Sequence, residues 1–135
     1  MARPTTLALL AGSLLTVGVL GACGDDDGDG GASGECLDAT SGAVTIVADG
    51  IAWDADCIDA VADEPLTISV DNQDDGVNHN FHLTDAPDEP ATELDAGPVV
   101  QTLEVVLPEG DYEYVCDIHP NMVGTLTASP ANPAG

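Results

Sequence analysis

The sequence predicts an all-β fold, an antiparallel sandwich of short strands, on three observations. Runs of β-branched and aromatic residues recur along the chain. Clusters of Gly, Pro, Asn and Asp separate them, and no long stretch keeps helical periodicity. "VTIVA" (44–48) alternates and is β-branched, and "LTISV" (66–70) repeats that pattern. "HNFHL" (79–83), "TLEVVL" (102–107), "YEYVC" (112–116) and "VGTLTA" (123–128) complete the set. The turn signals between them are "DNQDDG", "PDEP", "DAGP" and "PEGD". One segment reads differently: "WDADCIDAVADE" places Trp53, Cys57, Ala60 and Val61 at helical spacing, which allows a short helix. The Pro-bounded stretch 84–98 reads as a long loop with room for one turn. A core can be assembled from Val44, Ile46, Trp53, Ile58, Leu66, Ile68, Val70, Phe81, Leu103, Val105, Leu107, Tyr112, Tyr114, Val123 and Leu126.

Only part of the chain is expected in that domain. Residues 1–22 carry Arg3 and a fourteen-residue apolar run from Leu7 to Leu20. That run suits a secretory signal and is short of the roughly 20 residues a spanning helix needs. It ends in "LGAC", which resembles the bacterial lipobox and makes Cys23 the expected lipidated residue of an exported lipoprotein. Gly24 to Glu35 is an acidic, Gly-rich stretch without an apolar pattern. Fully extended, it would reach at most about 40 Å. The folded domain is expected over 36–129, with a tail at 130–135. The expected location is the outer face of the cytoplasmic membrane.

Charge narrows the partners. Arg3 is the only basic residue against 25 Asp and Glu, a formal net charge of −24. Nucleic acid is therefore excluded as a partner, and anionic lipid surfaces are poor ones. The acidity either steers a cationic protein or solvates the surface in a salty medium; its even spread along the chain favours the second. Self-repulsion of this size also favours a monomer.

The four cysteines divide by context. Cys23 is assigned to lipid and Cys116 sits among possible metal donors, which leaves Cys36 and Cys57. In an exported chain, where disulfides persist, these two are expected to bridge.

The most concentrated chemistry lies in "YVCDIHPNMVG". Cys116, His119 and Met122 occupy one short loop with C-x2-H-x2-M spacing. They offer thiolate, imidazole and thioether, and a second imidazole is available only from "VNHNFHL". Two His and one Cys with a weak Met form the donor set of a blue-copper electron-transfer site. Zinc would favour closed sets with Cys pairs, and hard ions would need a regular carboxylate loop; neither pattern is present.

From about 44 to 128 the chain resembles the cupredoxins, of the plastocyanin and amicyanin kind, which are Greek-key β-sandwiches. "GVNHNFHL" resembles the strand that opens the family's metal site, and "LPEGDYEYVCDIHPNMVGTLTA" resembles its C-terminal hairpin. The two-residue gaps match the short amicyanin-type loop. The resemblance implies one copper per chain held by His79, Cys116, His119 and axial Met122. It also implies that Asn80 ties the two ligand segments together by hydrogen bonding. His79 is preferred to His82 because residues three apart on a strand face opposite sides. Two departures stand out: "VADEP" replaces the usual turn before the second core strand, and Asn78 stands where proline is common. The implied function is a one-electron carrier between redox partner proteins, not an enzyme, with electrons passing at the His119 edge beside Pro120 and Val123. Copper storage or delivery is the alternative.

Overall fold

The computed structural model describes residues 34–131. The signal sequence, Cys23, nearly all of the acidic stretch and the last four residues lie outside them.

Ten strands form in chain order: β1 (Leu37–Ala39), β2 (Ala43–Ala48), β3 (Cys57–Val61), β4 (Pro65–Asn72), β5 (Asn78–His79), β6 (His82–Leu83), β7 (Asp95–Ala96), β8 (Val99–Val106), β9 (Gly110–Cys116) and β10 (His119–Ser129). A five-stranded sheet runs β1-β3-β10-β9-β6 and a three-stranded sheet runs β2-β4-β8, with β5 and β7 as a separate pair. Ile46, Ile58, Leu66, Ile68, Phe81, Tyr114 and Leu126 fill the space between them. The expected all-β sandwich is what forms, and no helix is present among the described residues.

The strand directions differ from the antiparallel expectation. β1 with β3, β3 with β10, and β2 with β4 pair in parallel. The cause is the order in which the chain visits the sheets. Strands β1 to β4 alternate between the two layers, so each returns to its own layer running the same way as the last.

The segment that allowed a helix is instead β3. Ile58 and Ala60 point inward while Cys57, Asp59 and Val61 do not, a period of two rather than 3.6. Pairing on both sides, with β1 and β10, satisfies its backbone and overrides the local spacing. The Cys36–Cys57 disulfide forms as expected and fastens the chain just before β1 to the start of β3.

The predicted strand 79–83 divides in two. β5 pairs with β7, β6 pairs with β9, and Asn80 and Phe81 cross between. The segment 84–98 supplies the missing partners there: Phe81 N–H donates to Thr92 Oγ1, and Thr92 N–H donates to Phe81 O. Apart from β7, that segment is the loop expected.

Three aromatic rings form the centre of the core. Phe81 stacks on Tyr114 at 5.0 Å, and Trp53 meets both edge-on. Tyr114 lies across Gly124, where a Cβ would collide with its ring carbon Cζ and hydroxyl and come within 2.7 Å of Asp56 O. That bare backbone lets the Tyr114 hydroxyl donate to Ala55 O at 2.8 Å. Burial pushes the Tyr114 phenol well above its usual range. Val123, expected in the core, is exposed instead. A register shift between His119 and Val123 turns Met122 inward and Val123 outward.

Candidate metal centre

The C-terminal donors are placed by a hairpin. Cys116 ends β9, His119 begins β10, and the two residues between them form the turn. Cys116 and His119 are therefore cross-strand neighbours. The irregularity that follows delivers Met122 to the same pocket, where Met122, Cys116 and Ala48 form a buried cluster capped by Trp53. Cys116 is a free thiol.

The fourth residue comes from β5. His79 is fully buried, and its Nδ1 lies 3.7 Å from Cys116 Sγ. His119 Nδ1 lies 3.4 Å from the same sulfur. The three donor atoms all fall within 4.8 Å of one another. An ion bound at about 2.0 Å to imidazole and about 2.3 Å to thiolate would hold such donors roughly 3.6 Å apart in a trigonal plane. The observed spacings fit one ion, and the soft donor set fits copper.

Each histidine has a distinct setting. His79 Nε2–H donates to Asp74 Oδ2 at 2.7 Å, which leaves the Nδ1 lone pair facing the sulfur. His119 is only partly covered, and Ile118, Pro120 and Val123 around it are exposed. His82, three residues beyond His79, turns away from the cluster and donates from Nδ1 to Asp117 Oδ1 at 2.8 Å.

Asn80 joins the two ligand segments. It is buried, its Nδ2 donates to Asp117 Oδ2 at 2.8 Å, and Asp117 N–H donates to its Oδ1 at 2.9 Å. The His82 and Asn80 bonds hold the Asp117 carboxyl below the usual carboxylate range.

Sequence reasoning did not single out Asp74. Its carboxylate accepts Gly50 N–H at 2.6 Å and Ile51 N–H at 2.9 Å besides His79. The Ile51 backbone bond, then His79, then Gly50 N–H, pull its pKa down to about 2. Asn72 shapes the turn that presents it: Asn72 Oδ1 accepts Asp74 N–H, and its amide donates to Val77 O and Asp95 O. Gly97 closes that turn, since a Cβ there would meet Asp74 O at 2.6 Å and Asn72 O at 2.7 Å. No local pattern in "DNQDDG" marks which aspartate does this; the backbone partners, Gly50 and Ile51, lie more than 20 residues away.

Comparison with known proteins follows the same line. The reduced auracyanin of the photosynthetic bacterium Roseiflexus castenholzii superposes with a TM-score of 0.59 at 18% identity, covering 74% of this chain and 100% of that one. A reduced variant of amicyanin gives 0.51 at 20% identity, covering 66% and 84%. A Cu-containing nitrite reductase from Thermus scotoductus SA-01 gives 0.54 at 18% identity, covering 65% of this chain but only 22% of the enzyme. No curated protein matches the sequence. The profile of the cupredoxin-like domain matches residues 31–128. With a sandwich of this kind and that match across most of its length, the chain belongs to the cupredoxin-like domain family.

Proposed function

We propose that this protein is a one-electron carrier in which His79, Cys116 and His119 would hold one copper ion, with Met122 as a weaker fourth donor. The observation that carries the reading is a buried thiol flanked by two imidazole Nδ1 atoms at one-ion spacing, with a buried methionine packed beside it. Bound copper would supply the Cu(II)/Cu(I) couple. The chain does the rest. Soft sulfur favours the reduced ion, while imidazole serves both states. Burial of His79, Cys116 and Met122 excludes water, and the hydrogen bonds of Asn80 fix the spacing of the two ligand segments. His119 is the ligand with an exposed flank, so electrons pass there, beside Ile118, Pro120 and Val123, to and from redox partner proteins.

In this reading the domain is exported and held outside the cytoplasmic membrane by lipid on Cys23. No described helix is long and apolar enough to cross a membrane. We read the chain as a carrier rather than an enzyme. It holds three histidines, two of them in the centre and the third tied to Asp117, which leaves no imidazole pair for a second copper.

A second reading, copper storage or delivery, also uses these donors. The buried cysteine and methionine argue for a retained ion, since exchange favours exposed donors. Loading with Cu(II) decides between them. A carrier gives an intense thiolate-to-copper band in the visible and reversible one-electron cycling, and Cys116→Ser removes the colour. A colourless Cu(I) complex that yields its ion readily to a chelator supports delivery. Colour that survives Cys116→Ser would refute the ligand assignment.

A further inference from the structure

We infer that Asp74 is a positioning residue for the metal centre, coupling the first histidine to the methionine segment through the turn at Gly50 and Ile51; this rests on the copper reading above. The path can be followed atom by atom. His79 Nε2–H donates to Asp74 Oδ2, and Ile51 N–H donates to the same oxygen. Ile51 O accepts from Asn121 Nδ2 at 2.8 Å, and Asn121 precedes Met122. One turn therefore grips both ligand-bearing segments, 23 residues from Asp74 and 70 from Asn121.

Three features set this apart from ordinary turn packing. First, Ile51 has φ 55°, a left-handed conformation that a β-branched residue adopts only at a cost. That conformation turns its N–H to Asp74 while its carbonyl meets Asn121. Second, Ile51 is exposed, so burial of its side chain does not explain the strain. Third, Asp74 is engaged at both oxygens, with Gly50 N–H on Oδ1, so the carboxylate cannot swing away from His79. This grip shares no residue with the Asn80–Asp117 bonds, which leave from the residue after His79 and the residue after Cys116.

The chemistry has a direction. A carboxylate accepting the far N–H of a ligating imidazole makes that imidazole a stronger donor. A stronger, charge-assisted nitrogen donor favours Cu(II) over Cu(I), so Asp74 lowers the reduction potential.

The test uses the full chain with two variants, Asp74→Asn and Asn121→Ala, and their combination. In copper-free protein, nitrogen NMR reports the His79 tautomer and the exchange of its Nε2 proton. Wild type holds that proton on Nε2 with slow exchange, and Asp74→Asn speeds its exchange at least tenfold. In copper-loaded protein, Asp74→Asn weakens the preference for Cu(II) about tenfold, a rise in potential of about 59 mV. Asn121→Ala shifts the potential less, and the double variant departs from the sum of the two because they share Ile51. An unchanged tautomer and exchange rate in Asp74→Asn would overturn the inference even if the copper assignment stands. So would an unchanged or lowered potential, and strict additivity would overturn the coupling through Ile51. The copper-free arm decides the point for His79 even if the chain proves not to bind copper.

Discussion

Replacing Asn80 tests the bond between the two ligand segments most directly. Asn80→Ala removes a donor to Asp117 Oδ2 and an acceptor for Asp117 N–H. A bond to a charged group contributes about 1.5–3 kcal/mol when buried. Here the Asp117 side chain is 43% exposed, and water can replace part of it, so about 1 kcal/mol is the appropriate share. The backbone bond adds about 1 kcal/mol, and the space left by a buried amide about half that again. The total is a loss of about 2–3 kcal/mol, read as a lower urea midpoint in copper-free protein at fixed salt. Asn80→Asp is the sharper variant. It keeps the volume and the acceptor, but sets a second carboxylate oxygen against Asp117 Oδ2 where the amide now stands at 2.8 Å. At an effective dielectric of about 20, two unit charges about 3 Å apart repel by roughly 5 kcal/mol. Asn80→Asp should therefore unfold more readily than Asn80→Ala. If the aspartate variant is as stable as the alanine one, the amide is not donating to Asp117 and the reasoning fails.

Two other positions give independent checks. Removing the Cys36–Cys57 bridge by double serine substitution reopens a loop of 21 residues, which the chain-entropy estimate values at about 3 kcal/mol. The loss should appear in urea unfolding, and intact mass of native protein should show no alkylation at either position; two free thiols there would contradict the bridge. Gly124→Ala forces a Cβ into the Tyr114 ring and against Asp56 O, and Tyr114 is pinned by Phe81 and by its bond to Ala55 O. It should cost about 1–3 kcal/mol and weaken the near-ultraviolet tyrosine signal; an unchanged melting temperature would show that Tyr114 moves freely.

What could be read from residues alone follows how far each partner lies along the chain. Cys116, His119 and Met122 were legible because one hairpin places all three, and His79 because a second short motif announced it. β8 and β9 were legible by alternation and bounding turns. β3 was not: with Asp and Ala at two of its five positions, helical and strand spacing are hard to tell apart, and only its neighbours on both sides decide. Val123 was misplaced because a strand was assumed regular through a segment that shifts register. Asp74, Ile51 and Asn121 left no local signal, since their contacts join three segments far apart in the chain. Eight further carboxylates lie in residues 49–75, and composition could not rank them.

The bridge at Cys36 also settles where a mechanical load would enter the domain. β1 is three residues long and lies at the sheet edge, so a pull on the upstream chain could peel it away strand first. The disulfide diverts that force into β3, which is held by parallel neighbours on both sides and cannot be unzipped from an end without shearing several bonds together. A pull on the leading segment would thus enter the sandwich at Cys57, and β3 would share it with β10 through the ladder from Thr125 to Ser129, well along that strand from His119.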